Sequence, residues 1–170
     1  PFAAFLTKRK IFVSACTRLY KRSFLIGKKF INGISFEDVP WSFSVFAEIK
    51  RYVLIKAPLY YYYFNPDSTM RSDWSDEKTR SYITVIRTVD AYTKAKMPAE
   101  QKRVQKRVLN QRVKMILNRL GKAPKESRAE AYAFAAREIG KLYDEGIVSY
   151  AGLKLKHRFA LWKLLRSRSQ

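Results

Sequence analysis

Two adjacent carboxylates, Glu37 and Asp38, stand just ahead of Trp41, and the chain then carries four consecutive tyrosines, Tyr60 to Tyr63, and an arginine, Arg71. A hydroxyl is a poor nucleophile at neutral pH, so a carboxylate held within hydrogen-bonding reach assists its attack on an electrophile. A second acid beside the first raises one of the two pKa values toward a useful range. Acid, aromatics and arginine therefore fall within one short stretch, Ile34 to Ser72, that could form an active site. Without its surroundings, an acidic pair before a helix is also an ordinary favourable start to that helix.

Local elements must hold these groups in place. Ser35 or Asp38 can cap a helix whose first turn contains Pro40, where a missing N–H costs nothing. Val39, Phe43, Phe46 and Ile49 recur near helical spacing, so this helix should bury one face and end near Lys50. Arg51 to Phe64 is β-branched and then tyrosine-rich, and Pro58 divides it, which predicts two short strands or a strand and an extended arm. Residues 11 to 20 predict another short strand. Ser23 should cap a helix to Lys29, and Asn65-Pro66-Asp67-Ser68 has turn chemistry.

From Ser75 the period becomes helical. Tyr82, Ile83, Ile86 and Val89 form a stripe on a helix from Ser75 to Lys96 that Pro98 ends. A second helix should run from Ala99 to Leu120, with Val104, Val108, Val113, Ile116, Leu117 and Leu120 inward and Gly121 as its stop. A third spans Ser127 to Asp144. A fourth, about Ala151 to Arg166, places Leu155, Phe159, Trp162 and Leu165 on one side, with Lys154, Lys156, Arg158, Lys163 and Arg166 around the rest. That is the pattern of a helix lying in a membrane interface.

The chain has 170 residues and 47% hydrophobic side chains, enough for a packed core, with 35 Lys and Arg against 14 Asp and Glu for a net charge of +21. Residues 1–72 hold twelve basic and four acidic side chains, net +8; residues 73–170 hold twenty-three and ten, net +13. No acid occurs between Gln101 and Lys125. Such a surface attracts a polyanion. An anionic membrane is preferred over nucleic acid, for which zinc spacing, an RNA-binding sheet signature and a helix-turn-helix are all lacking. Cys16 is the sole cysteine and should be packed, and His157, among lysines and without a second ligand at metal spacing, should be solvated. No apolar run approaches membrane-spanning length, which places the expected site of action in the cytoplasm, peripheral on the inner membrane face. The first residue is Pro1, and a fragment of a longer protein is expected.

The order of motifs, ACTRLYKRSFL, then FEDVPW, then PLYYYYFNPDSTMRS, resembles the C-terminal half of a bacterial family 2 glycosyltransferase over about Phe12 to Ser72. The resemblance implies a GT-A fold, a nucleotide-sugar donor, and inverting transfer to a carbohydrate or lipid-linked acceptor in cell-surface polysaccharide synthesis. It assigns the base to Asp38, with Glu37 as neighbour or alternate, substrate contacts to Trp41 and Tyr62, and an approach to the diphosphate to Arg71. Many members carry arginine where Phe64 stands. The family's nucleotide-binding half and its Asp-X-Asp metal motif should precede this segment, and no Asp-X-Asp occurs in residues 1–34. The expectation is an α/β, helix-dominated chain. Residues 1–72 would be the acceptor-side part of a truncated GT-A domain with a few short strands, and 73–170 a basic bundle of about four helices. The fragment would be inactive alone, and the Mg or Mn of the parent enzyme would find its ligands outside this chain. The alternative is a non-enzymatic basic helical module that binds nucleic acid or anionic membrane.

Overall fold

A computed structural model describes residues 2, 14–65, 68 and 74–169. The chain divides into two compact units, Pro1–Ser72 and Asp73–Gln170.

The first unit is built around one helix. A 3-10 turn at Ala15–Thr17 and a short helix α1 (Arg22–Leu25) precede α2 (Asp38–Glu48). The apolar period of α2 is realised, because Val39, Trp41, Phe43, Val45 and Phe46 are all buried. Phe2 meets the Phe43 ring edge-on at 5.3 Å, and the Arg18 guanidinium lies 4.8 Å above the ring of Phe46. Lys28 Nζ reaches Glu48 Oε2 at 2.5 Å, tying the segment after α1 to the end of α2. Ile49 is extended and closes the helix by donating its N–H to Val45 O.

Among the described residues there is no strand. The β-branched start of the first expected strand, residues 11–13, lies outside the described residues, and Ala15–Thr17 after it is a 3-10 turn. Residues 51–65 are extended in part but exposed throughout. A β-rich run becomes a strand only when a neighbour supplies ladder hydrogen bonds and cross-strand contacts, and no strand stands beside this arm among the described residues. A tight turn across Pro58, in which Leu59 N–H donates to Ala57 O at 3.0 Å, interrupts it further. The helix-dominated expectation holds; the few short strands of the α/β reading find no support among the described residues.

The second unit consists of helices. The Ser75 hydroxyl caps α3 (Asp76–Lys96) by accepting from the Lys78 N–H at 3.2 Å, and Asp76 and Glu77 in the first turn complement the helix dipole. Tyr82, Ile83, Ile86 and Val89 are buried as their spacing requires. After a 3-10 turn at Pro98–Glu100 come α4 (Gln101–Val104), a π-helical turn at Gln105–Leu109 and α5 (Asn110–Leu120), without a break. The expected single helix is thus interrupted by a π turn, though Val104, Val108, Val113, Ile116 and Leu120 still face inward. Then follow α6 (Arg128–Asp144) and α7 (Leu155–Arg166). Helix α3 packs on α5 and α6, and α6 packs on α7.

Helix α7 starts a turn later than its hydrophobic pattern implies. Gly152 has φ +76°, and a Cβ there would lie 2.9 Å from the backbone oxygen of Lys106, so this position requires glycine and holds the loop against the π turn. Arg168, just beyond α7, grips Asp144 at the end of α6 through two bonds of 2.7 and 3.0 Å. Arg87 of α3 grips Glu145 likewise at 2.6 and 2.8 Å. Both pairs are largely exposed, so they orient the helix ends more than they stabilise them.

Candidate functional site

In the first unit the carboxylate pair stands at the start of α2. Glu37 and Asp38 are half-buried there, Asp38 as the first helical residue. The preceding turn is held by a Val39 N–H to Phe36 O bond of 3.1 Å, and Phe36 adopts φ +67°. A left-handed conformation costs a non-glycine residue roughly 1–2 kcal/mol. The buried face of α2 behind the acids fixes the backbone that bears them, and the strained turn sets the angle at which they leave it.

The tyrosine arm reaches the same region through Cys16. Its Sγ lies 3.0 Å from Ser14 Oγ and donates to Tyr60 Oη at 3.2 Å. Hydrogen bonding with the Ser14 hydroxyl, and next with that of Tyr60, holds the Cys16 thiol below its usual pKa; the Asp38 carboxylate is near enough to push it back up. The Tyr60 phenol is correspondingly raised, chiefly by its bond to Cys16. Cys16 is exposed, not packed as its sequence context implied. Ser14, Cys16 and Tyr60 thus form one hydrogen-bonded group. The pairing of Cys16 with Tyr60 carries no motif, and it could be found only once the fold brought positions 44 residues apart together.

Trp41 belongs elsewhere. It is 6% exposed, stacks on Phe30 at 4.8 Å, meets Tyr20 edge-on at 5.4 Å, and donates its indole N–H to Lys28 O at 3.3 Å. With both apolar surface and polar tip used in packing, it supports α2 and presents no stacking platform. Tyr62 is 71% exposed, and the rings of Tyr61 and Tyr63 lean together at 4.5 Å. Arg71 lies outside the described residues.

No family model, curated protein or solved structure matches this chain.

Among the described residues no group of three or more His, Cys, Asp and Glu could hold a metal ion. No helix among them is long and apolar enough to cross a membrane.

The second unit carries the other candidate set. Lys154 precedes α7, and Arg158, Phe159, Trp162 and Lys163 all lie on its exposed surface. Leu155 and these two aromatics do not share a side with Leu165, as the sequence had implied: Leu165 is buried with Leu161, Leu164 and His157. His157 is buried, against the expectation of a solvated side chain, and its Nε2 lies 2.9 Å from Asn118 Oδ1.

Proposed function

We propose that this chain is the acceptor-side portion of an inverting glycosyltransferase that moves a sugar from a nucleotide-sugar donor to an acceptor hydroxyl. What supports the reading is the half-buried Glu37–Asp38 pair at the head of α2, borne on a helix whose apolar face is buried. It sits on the stretch whose motif order resembles the family 2 enzymes.

In this reading Asp38 is the base. The acceptor oxygen attacks the anomeric carbon from the face opposite the nucleotide diphosphate, its proton passes to the Asp38 carboxylate, and the bond to the diphosphate breaks with inversion. The rigid attachment of α2 keeps that carboxylate in place, which is where most of the value of a general base resides. Glu37 is its neighbour or the alternate base. Tyr62, with its free apolar ring and hydroxyl, is a sugar contact. Trp41 stabilises the helix, and no substrate role is given to it. The donor-binding half and its Mg or Mn lie outside the chain in this proposal, which is why the fragment alone is inactive. The work is done at the cytoplasmic face of the inner membrane, on a carbohydrate or lipid-linked acceptor for cell-surface polysaccharide.

The test is the longer enzyme this reading implies, assayed for release of nucleoside diphosphate with and without acceptor saccharide. Release that depends on acceptor is expected. A chain whose addition to the donor-binding half leaves release independent of acceptor would contradict it.

A further inference from the structure

Helix α7 has apolar residues on two opposite sides, and only one of them is covered. At about 100° per residue, His157, Leu161, Leu164 and Leu165 make the side that packs into the second unit, and all four are buried. On the opposite side Leu155, Phe159 and Trp162 form a single row, exposed to 81%, 62% and 42%. The row is ordered from within. Phe159 and Trp162 stack with ring centroids 5.6 Å apart, and the Arg166 guanidinium lies 4.5 Å above the Trp162 ring. Burying a leucine, a phenylalanine and a tryptophan is worth several kcal/mol in principle, so leaving three in one row on solvent calls for a covering partner.

Cations border the row on both sides. By the same helical geometry Arg158 falls on one flank and Lys156 and Lys163 on the other, with Lys154 ahead of the helix; all are exposed. No acid lies on α7. Residues 73–170 carry a net charge of +13. A partner that accepts an apolar ridge and surrounds it with negative charge is an anionic phospholipid surface: the rings enter the boundary between headgroups and acyl chains while the cations remain among phosphates. Nucleic acid would satisfy the cations but leave Leu155 without a purpose.

We infer that α7 is an interfacial anchor that seats the second unit on an anionic lipid bilayer through Leu155, Phe159 and Trp162. The inference is independent of the glycosyltransferase reading, because it rests on the second unit alone. It adds to the expected membrane preference a definite face, an orientation with α7 parallel to the bilayer, and a division of labour between ridge and flanks.

The experiment uses the full chain and vesicles of phosphatidylglycerol and phosphatidylcholine in equal parts, compared with phosphatidylcholine alone, by co-sedimentation and tryptophan emission. Binding to the mixed vesicles with a blue shift is expected. Phe159→Ser should weaken partition about ten-fold or more, Trp162→Ser should also remove the blue shift, and Phe159→Leu should retain most of the binding. Lys156→Glu with Lys163→Glu should remove the preference for anionic lipid. All these positions are exposed, and unchanged helical circular dichroism confirms that each variant is folded. Equal partition of wild type and Phe159→Ser, a row protected by a dimer in lipid-free solution, or binding to RNA in preference to the vesicles would each overturn the inference. None of these outcomes bears on sugar transfer.

Discussion

The Asn110 side chain holds Ser149 twice: its Nδ2 donates to Ser149 Oγ at 3.3 Å, and its Oδ1 accepts from the Ser149 backbone N–H at 3.0 Å. Asn110 Nδ2 also donates to Ala151 O at 2.6 Å, and Gln105, at the other end of the π turn, donates to Gly146 O at 2.7 Å. The π turn brings residues 105 and 110 to the same loop, so the loop that launches α7 is fixed by side chains from α5 and the turn before it. Asn110→Ala removes these partners from a fully buried site and leaves Ser149 N–H and Ala151 O unsatisfied. A loss of about 2–4 kcal/mol is expected in urea unfolding, with protease cleavage appearing between Gly146 and Leu153.

Gly152 closes the same junction. Its φ of +76° disfavours any side chain, and an added Cβ would meet Lys106 backbone oxygen at 2.9 Å. Gly152→Ala should therefore lower stability by roughly 1–3 kcal/mol, measured by thermal unfolding. Gly146→Ala, which has φ +68° but open space around it, should cost less. Equal effects at the two glycines would show that contact with the π turn is unimportant.

Burial holds the His157 imidazole below the usual histidine pKa, and the nearby Lys156, Lys114 and Lys154 act in the same direction. With Nε2 donating to Asn118, Nδ1 is the bare nitrogen, buried without a hydrogen-bond partner. The unfolded chain therefore takes up a proton more readily than the folded one. The contribution of neutral His157 to stability is fully present above the unfolded value of about 6.5 and is lost as pH falls below it toward the lowered folded value. The Tm should drop between neutral and mildly acidic pH, and His157→Gln should flatten that part of the profile. An equally steep profile in the variant would assign the pH dependence elsewhere.

Much of the second unit is legible in the sequence because each helix has one strong apolar stripe and a chemical stop: Ser75 caps α3, and Gly121 follows α5. The apolar residues of α2 were visible for the same reason. The π turn was not, because Val104, Val108 and Val113 fit an uninterrupted helix almost as well. Helix α7 misled because it has two apolar sides, and the covered one includes a histidine while the larger aromatics are on the other. Residues 51–65 misled because β-branched and aromatic composition reports fitness for a sheet, not the presence of a neighbouring strand. The carboxylate pair was evident, whereas the Cys16–Tyr60 contact beside it depends on tertiary structure alone.

Trp41 separates a packing role from a substrate role. Trp41→Ala should destabilise the first unit by about 3–5 kcal/mol, because Phe30, Tyr20 and Lys28 O all lose contacts. Trp41→Phe keeps the stacking and should retain transfer activity in the longer enzyme, with KM for the acceptor unchanged. A raised KM in a folded Trp41→Phe enzyme would return the indole to the substrate site.

In the proposed reaction Asp38 takes the acceptor proton, and single-turnover sugar transfer by the longer enzyme that this proposal implies tests that role most directly. Asp38→Asn keeps the size and the helix start but cannot accept the proton, so the rate should fall about 10²–10⁴-fold with helical content and donor binding unchanged, while Glu37→Gln should retain far more activity. A folded Asp38→Asn enzyme that transfers sugar at the wild-type rate would contradict the account.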